Sequence, residues 1–390
     1  MTTAGIDLIS FYTPHYYLDL RTLAEHRGVD HNKFYTGIGQ EKMAVPPPDE
    51  DIVTMAANAA KRIVDQIDPN EIELLLFATE SGVDQSKAAA LFVHGLLKLP
   101  TRCRAVELKE ACYSATAGLQ MAVPWVRSNP GKKALVIGAD IARYDLSSPG
   151  EPTQGAGAVA MLVSTEPRLI ALDPETGLYA ADVMDFWRPN YREEALVDGK
   201  YSMRVYISAL EEAWRQYAEL SGRKFEDMYR FCYHLPFTKM AEKAHVRLGK
   251  ASGQALSPED IETQIGESLR YNRITGNTYT ASMYEGICSL LDTCGEPLED
   301  KRLGLFSYGS GCMGEFFSGV VQSGYKEKLL TEAHRKLLDN RIELTYQQYE
   351  DIFQLGFPKD GGDHRFAEYR TGHFRLAGVS EHKRTYETKE

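Results

Sequence analysis

The chain has 390 residues, 43% hydrophobic and 25% charged, an ordinary globular composition and enough length for two domains or one domain of two halves. A formal charge of −11 argues against nucleic acid as the main partner, since phosphate contacts need a basic face; a phosphorylated ligand needs only a local cluster of Lys or Arg. No apolar run reaches membrane-spanning length and the start, Met1-Thr-Thr-Ala-Gly-Ile-Asp-Leu, has no signal-like core, so the expected location is cytoplasmic, with no membrane partner.

In chain order, apolar spacing predicts a helix from Asp51 to Ile67, with Asp51 as its N-cap and Pro69 as its stop. A buried strand from Ile72 to Thr79 runs into Glu80, within Ala78-Thr-Glu80-Ser-Gly82, and a helix follows from about Asp84 to Leu97. A short stretch from Glu107 ends at Cys112, where Ala, Ser, Thr and Gly open a helix from Ser114 to Val126. Strands from Lys133 to Ala139 and from Ala158 to Val163 come next, and a composition shift near Glu166-Pro167 divides 1–166 from 167–390.

The second half begins with a helix from Met203 to Leu220 and a strand, Arg230 to His234, that ends in an imidazole. Beyond it lie Pro236, Lys239 and Lys243, then a helix from Pro258 to Tyr271. Asn277 sits at a turn opening a helix from Thr280 to Leu291, and the strand Arg302 to Ser307 leads into Tyr308-Gly-Ser310-Gly311. From Gly361 onward the chain is charge-rich and reads as edge strands or a mobile tail. Strands alternating with helices imply an α/β fold: right-handed crossovers and a largely parallel sheet covered on both faces. Ligands then gather at the carboxyl ends of strands, where Glu80, His234 and the Tyr308–Gly311 turn fall.

A thiol at a helix start meets orphan N–H donors and the positive end of the dipole, so Cys112 is expected to favour thiolate. Thiolate beside N–H groups is the minimal equipment for acyl transfer. The six cysteines form no C-x-x-C pair and no metal-like spacing with His, and read as reduced thiols without a structural metal. Gly37-Ile-Gly39 and Gly155-Ala-Gly157 lack the third glycine of a dinucleotide fingerprint, and no P-loop is present.

Singly, each residue has a plainer reading. Cys112 can be a small buried hydrophobe, Glu80 a solvated turn carboxylate, and His234 a satisfied core histidine. Lys239 and Lys243 can be a solvated helix face and Asn277 a helix cap. Joint occurrence favours chemistry, because Glu, Cys, His and Asn each sit at a strand end or helix start.

The motifs ATESGVD, KEACYSATAG, GEPTQGAGAVAM, DFWRPN, LVDGKYS, HLPFTKM, GNTYTAS and FSYGSG run in family order from about residue 36 to 318. In them the chain resembles the hydroxymethylglutaryl-CoA synthases of bacteria that use the mevalonate pathway. The resemblance implies a thiolase-like fold: two similar βαβαβ-type halves in a layered α-β-α-β-α arrangement, one carrying Glu80 and Cys112, the other His234 and Asn277. It also implies that acetyl-CoA acetylates Cys112, that Glu80 removes a methyl proton from acetyl-Cys112, and that the carbanion attacks acetoacetyl-CoA. His234 would polarise or protonate the alkoxide, and water would release HMG-CoA.

By the same resemblance Thr153, Ser202, Lys243, Asn277 and Ser310 bind acetoacetyl-CoA or product, with Lys239 near the CoA. Tyr144, Phe186 and Pro236 shape the acyl pocket. Backbone N–H groups at Cys112 and in the Tyr308–Gly311 turn are the expected oxyanion donors. No cofactor or metal is implied, and a homodimer is. Cys312 has no implied role. Open alternatives are a carrier-protein-dependent synthase of polyketide β-branching, a β-ketoacyl synthase of the initiating type, and a non-catalytic acyl-CoA-binding homologue.

Overall fold

The computed structural model describes residues 2–389. Among these, nine strands make the main sheet. They are β1 (Gly5–Tyr12), β2 (Ile72–Ala78), β3 (Arg104–Leu108), β4 (Lys133–Ala142) and β5 (Gly155–Ser164). The others are β6 (Ile170–Ala180), β7 (Arg230–Tyr233), β8 (Arg302–Gly309) and β9 (Met313–Val321). Their order is β7-β8-β9-β6-β1-β5-β4-β2-β3. The first five strands thus run 3-2-4-5-1, and the last four repeat 2-4-5-1 without a counterpart of β3. A repeat invisible in residue identity is plain in topology. The halves meet at β1 and β6, which pair only through Gly5–Ala171 and Ile6–Ile170.

The sheet is mixed, not largely parallel. β2 runs parallel to β3 and β4, and β7 to β8, but every other neighbour is antiparallel. Short returns are the cause: three residues, Ser310 to Cys312, connect β8 to β9, too few for a parallel crossover.

Seven helices dress the sheet: α1 (Ile52–Val64), α2 (Ala89–Leu96), α3 (Ser114–Ser128), α4 (Gly199–Ser221), α5 (Thr238–Ala251), α6 (Pro258–Leu269) and α7 (Ser282–Thr293). Asp51 caps α1 in a box with Thr54, as its sequence suggests. α2 starts only at Ala89, because the Asp84 side chain takes the N–H groups of Ser86 and Lys87 into a turn. α1 packs on β1 and β5 and against α2, α3 packs on β2 and β4, and α4 packs on β6 and β9. α3 and α7 face each other through Thr116 Oγ1 and Tyr284 Oη, 2.6 Å apart, giving the α-β-α-β-α layering of the thiolase-like fold.

The charge-rich C-terminus forms its own small sheet, of His364–Arg365, Phe374–Ser380 and Lys383–Thr388. Arg375, buried to 1%, anchors it by donating from Nε to Asp49 Oδ2 at 3.1 Å.

Candidate active site

The nucleophile loop leaves β3 and turns at Glu110–Tyr113. Ser114 staples that turn, with Oγ donating to Ala111 O at 3.0 Å and receiving the Glu110 N–H. Tyr113 donates to Glu315 Oε2 on β9 at 2.6 Å, and Thr116 donates to Ser307 on β8 at 2.7 Å, so both halves hold the start of α3. Gly309 makes that approach possible: a Cβ there would lie 2.6 Å from Glu110 O and 2.7 Å from Tyr113 N.

Cys112 is buried against Ala142 and Tyr279, with Phe186 beside them. Its Sγ donates to Glu80 Oε1 at 3.1 Å. Burial, and then the carboxylates of Glu80, Asp140 and Asp185, raise the thiol pKa well above its ordinary value. The expected thiolate therefore does not form at rest, since burial and neighbouring negative charge outweigh the helix start. Burial, then Asp140, pushes Glu80 up to about 8. At rest the sulfur keeps its proton and donates it to Glu80, which ionises only as the pH approaches 8.

Asp140, at the carboxyl end of β4, organises this corner. It accepts from Thr79 Oγ1 (2.8 Å), Glu80 N–H (2.9 Å), Thr280 N–H (3.1 Å) and Thr280 Oγ1 (2.6 Å). It thereby ties the Glu80 strand end to the Asn277–Ser282 segment of the other half. Gly155 admits that segment: a Cβ there would meet Gly276 C at 2.6 Å and Asn277 N at 2.7 Å.

His234 follows β7, and burial pushes its ring pKa down to about 3, so it is neutral. Its ring lies 6.4 Å from that of Tyr308. The Tyr308 hydroxyl donates to Asp185 Oδ2 at 2.8 Å, the same carboxylate that bears on Cys112. Glu80 and Cys112 are joined by a direct hydrogen bond, and His234 is buried beside Tyr308, whose hydroxyl meets Asp185. Asn277 Oδ1 accepts the Tyr279 N–H at 2.8 Å, while its own N–H donates to Thr153 O at 3.2 Å.

Tyr144, Phe186 and Tyr279 form an aromatic wall, with Phe186 6.3 Å from Tyr144 and 5.8 Å from Tyr279 between ring centres. Ser202 donates to Asp185 Oδ2 at 2.9 Å. Pro236 and Ser310 are half-buried in the turns after β7 and β8. The Gly311 N–H donates to Asp185 Oδ1 at 2.9 Å, which removes it from the expected oxyanion donors. On α5, the Lys239 ammonium pairs with Glu242 at 2.5 Å, and Lys243 is exposed, 5.6 Å from the Phe237 ring. A cleft of about 1190 Å³ lies against Glu80, bordered by Lys87, Arg143, Arg188 and Arg192, and neither of the two lysines borders it. Sequence reasoning missed Asp140, Asp185, Tyr279 and Ser282, though the last three lie in motifs already singled out and Asp140 directly follows a predicted strand.

The chain is similar to known proteins along nearly its whole length. The profile described as hydroxymethylglutaryl-coenzyme A synthase N terminal matches residues 2–167, and the corresponding C-terminal profile matches 170–251 and 249–361. A hydroxymethylglutaryl-CoA synthase of Enterococcus faecalis is 47% identical, over 90% of this chain and 91% of its own. A polyketide-biosynthesis 3-hydroxy-3-methylglutaryl-ACP synthase of Bacillus subtilis is 36% identical, over 91% and 89%. A crystal structure of an HMG-CoA synthase complexed with CoA superposes with a TM-score of 0.94 at 39% identity, covering 99% of this chain and all of that one. The chain belongs to the hydroxymethylglutaryl-coenzyme A synthase family.

Proposed function

We propose that this chain condenses acetyl-CoA with acetoacetyl-CoA and water to give (S)-3-hydroxy-3-methylglutaryl-CoA and free CoA, an early step of the mevalonate route to isoprenoids. The observation that carries the reading is the 3.1 Å contact between Cys112 Sγ and Glu80 Oε1, a nucleophile hydrogen-bonded to a base. As sulfur attacks acetyl-CoA, the thiol proton passes to Glu80 and then to the departing CoA. Glu80, again a carboxylate, removes a methyl proton from acetyl-Cys112, and the carbon attacks the ketone of acetoacetyl-CoA. His234 polarises the alkoxide, and the proton that completes the alcohol returns Glu80 to carboxylate. Water then cleaves the thioester and frees Cys112.

Thr153, Ser202, Lys243, Asn277 and Ser310 hold acetoacetyl-CoA and product in this reading, with Lys239 near the CoA. Tyr144, Phe186 and Pro236 shape the acyl pocket, and no separate cofactor takes part. Six free thiols support a reducing, cytoplasmic setting. The open edge of β3 supports a homodimer. The higher identity to the Enterococcus hydroxymethylglutaryl-CoA synthase than to the Bacillus 3-hydroxy-3-methylglutaryl-ACP synthase favours free thioesters.

Intact-protein mass spectrometry with acetyl-CoA alone tests the reading. Wild type should gain one acetyl group and Cys112→Ser none, and acetoacetyl-CoA should discharge the adduct as HMG-CoA. A folded wild type that takes no acetyl from acetyl-CoA, but takes it from an acetylated carrier protein, would replace this reading with the β-branching one.

A further inference from the structure

We infer that Ser282 is a positioning residue that holds His234 in its Nε2–H tautomer, making the imidazole a hydrogen-bond donor to the substrate carbonyl and not the base for Cys112. Ser282 opens α7 and is fully buried. Its Oγ lies 2.7 Å from His234 Nδ1 and accepts the Leu235 N–H at 3.2 Å. A hydroxyl carries one hydrogen and two acceptor sites. Among the described residues Oγ has no third partner.

These contacts decide where the ring proton sits. With the proton on Nδ1, Oγ would accept twice and its own hydrogen would be buried with nothing to receive it. With Nδ1 bare, Ser282 donates to it, Leu235 donates to Ser282, and all three groups are satisfied. Nε2 then carries the hydrogen. The frame is held on both sides: Tyr206 donates to His234 O at 2.9 Å, and Asn272 Nδ2 donates to Ser282 O at 3.3 Å. The rings of Tyr206 and Tyr308 lie beside the imidazole, each centred 6.4 Å from it.

Independent geometry agrees. The Cys112 proton already has its acceptor in Glu80, so no base is needed at His234. Burial also keeps the ring neutral, the state in which one nitrogen donates and the other accepts. A fixed Nε2–H aimed at a developing oxyanion gains strength as charge builds, without reorganisation during the reaction.

The inference rests on the synthase reading only for the identity of the carbonyl, and its test separates the two. In full-length protein labelled with ¹⁵N-histidine, long-range ¹H–¹⁵N spectra should show His234, assigned by its loss in His234→Asn, with a protonated Nε2 and a bare Nδ1. Ser282→Ala should shift that pattern toward Nδ1–H. It should also lower kcat for HMG-CoA formation about 10- to 100-fold, with KM for acetoacetyl-CoA nearly unchanged. Ser282→Thr, which keeps the hydroxyl, should keep the Nε2–H pattern and most of the rate. A wild-type spectrum with the proton on Nδ1 would overturn the inference, and so would a Ser282→Ala protein with unaltered spectrum and kcat. If Ser282→Ala does not fold, the wild-type spectrum decides alone. Failure of the synthase reading would show instead as no acetyl adduct on Cys112.

Discussion

Cys112 and Glu80 hold each other in the resting state: burial and then Glu80 raise the thiol, and the thiol donates to Glu80. Glu80 acts as a base only when ionised. Burial, then Asp140, lifts Glu80 to about 8 in the free enzyme, and acetylation removes the Cys112 hydrogen bond that opposes the lift. In single-turnover assays on acetylated enzyme the condensation rate should therefore rise with pH up to at least about pH 8, close to tenfold per unit. A rate flat between pH 6 and 8 would sink the assignment. Glu80→Ala should lower condensation by about 10²–10⁴-fold. Acetyl-Cys112 should still form from acetyl-CoA, more slowly than in wild type because the thiol loses its proton acceptor. Glu80, Cys112, His234 and Asn277 stood out as candidates because unlike chemistries recur at strand ends and helix starts. Asp140 did not, since a carboxylate satisfied by four donors looks in one dimension like any acidic residue beside a strand.

Among the elements, β2, β4, β5, β7 and β8 announced themselves as apolar runs. The expected helices all form, with ends displaced by local side chains such as Asp84 and Asn277. β1 escaped because Asp7 and Ser10 interrupt it. Both are buried nonetheless, Asp7 through its 2.5 Å pair with Arg168. β6 carries Asp173, Pro174 and Glu175, and β9 two glycines, so neither reads as a core strand. β3 is short and closes the sheet with one edge unpaired and Val106 39% exposed upon it. An open edge of this kind invites pairing with a second copy. Wild type should therefore sediment as a dimer of the 43.7 kDa chain, and Val106→Lys should shift it toward monomer. Wild type sedimenting as a single chain would exclude pairing at this edge.

For the whole molecule, buried acids set the pH dependence of stability. Burial lifts Glu50 to about 8, and Glu285 and Glu315 to about 7, against about 4.3 in the unfolded chain. Between those values the native state keeps protons that the unfolded state has released, so stability falls as pH rises. Burial depresses His15 and His245 to about 4 and His234 to about 3, which costs stability as pH falls below about 6.5. Above pH 6.5 only the acids remain, and the melting temperature should drop from pH 6.5 to 8. Glu50→Gln should flatten that slope, and a melting temperature that rises over the interval would refute the account. The two-half architecture was legible through family motifs. The mixed sheet was not, because strand direction depends on loop length and pairing partners more than on composition. Division of the site between the halves also has a consequence for the growing chain. A ribosome delivers Glu80 and Cys112 well before the imidazole at 234, its serine at 282, and the Gly309 edge against which the thiol loop is pressed. The reactive sulfur emerges early, yet the site around it is completed only when the second half has been made, so a fragment abandoned before then carries the nucleophile without the imidazole that completes the site.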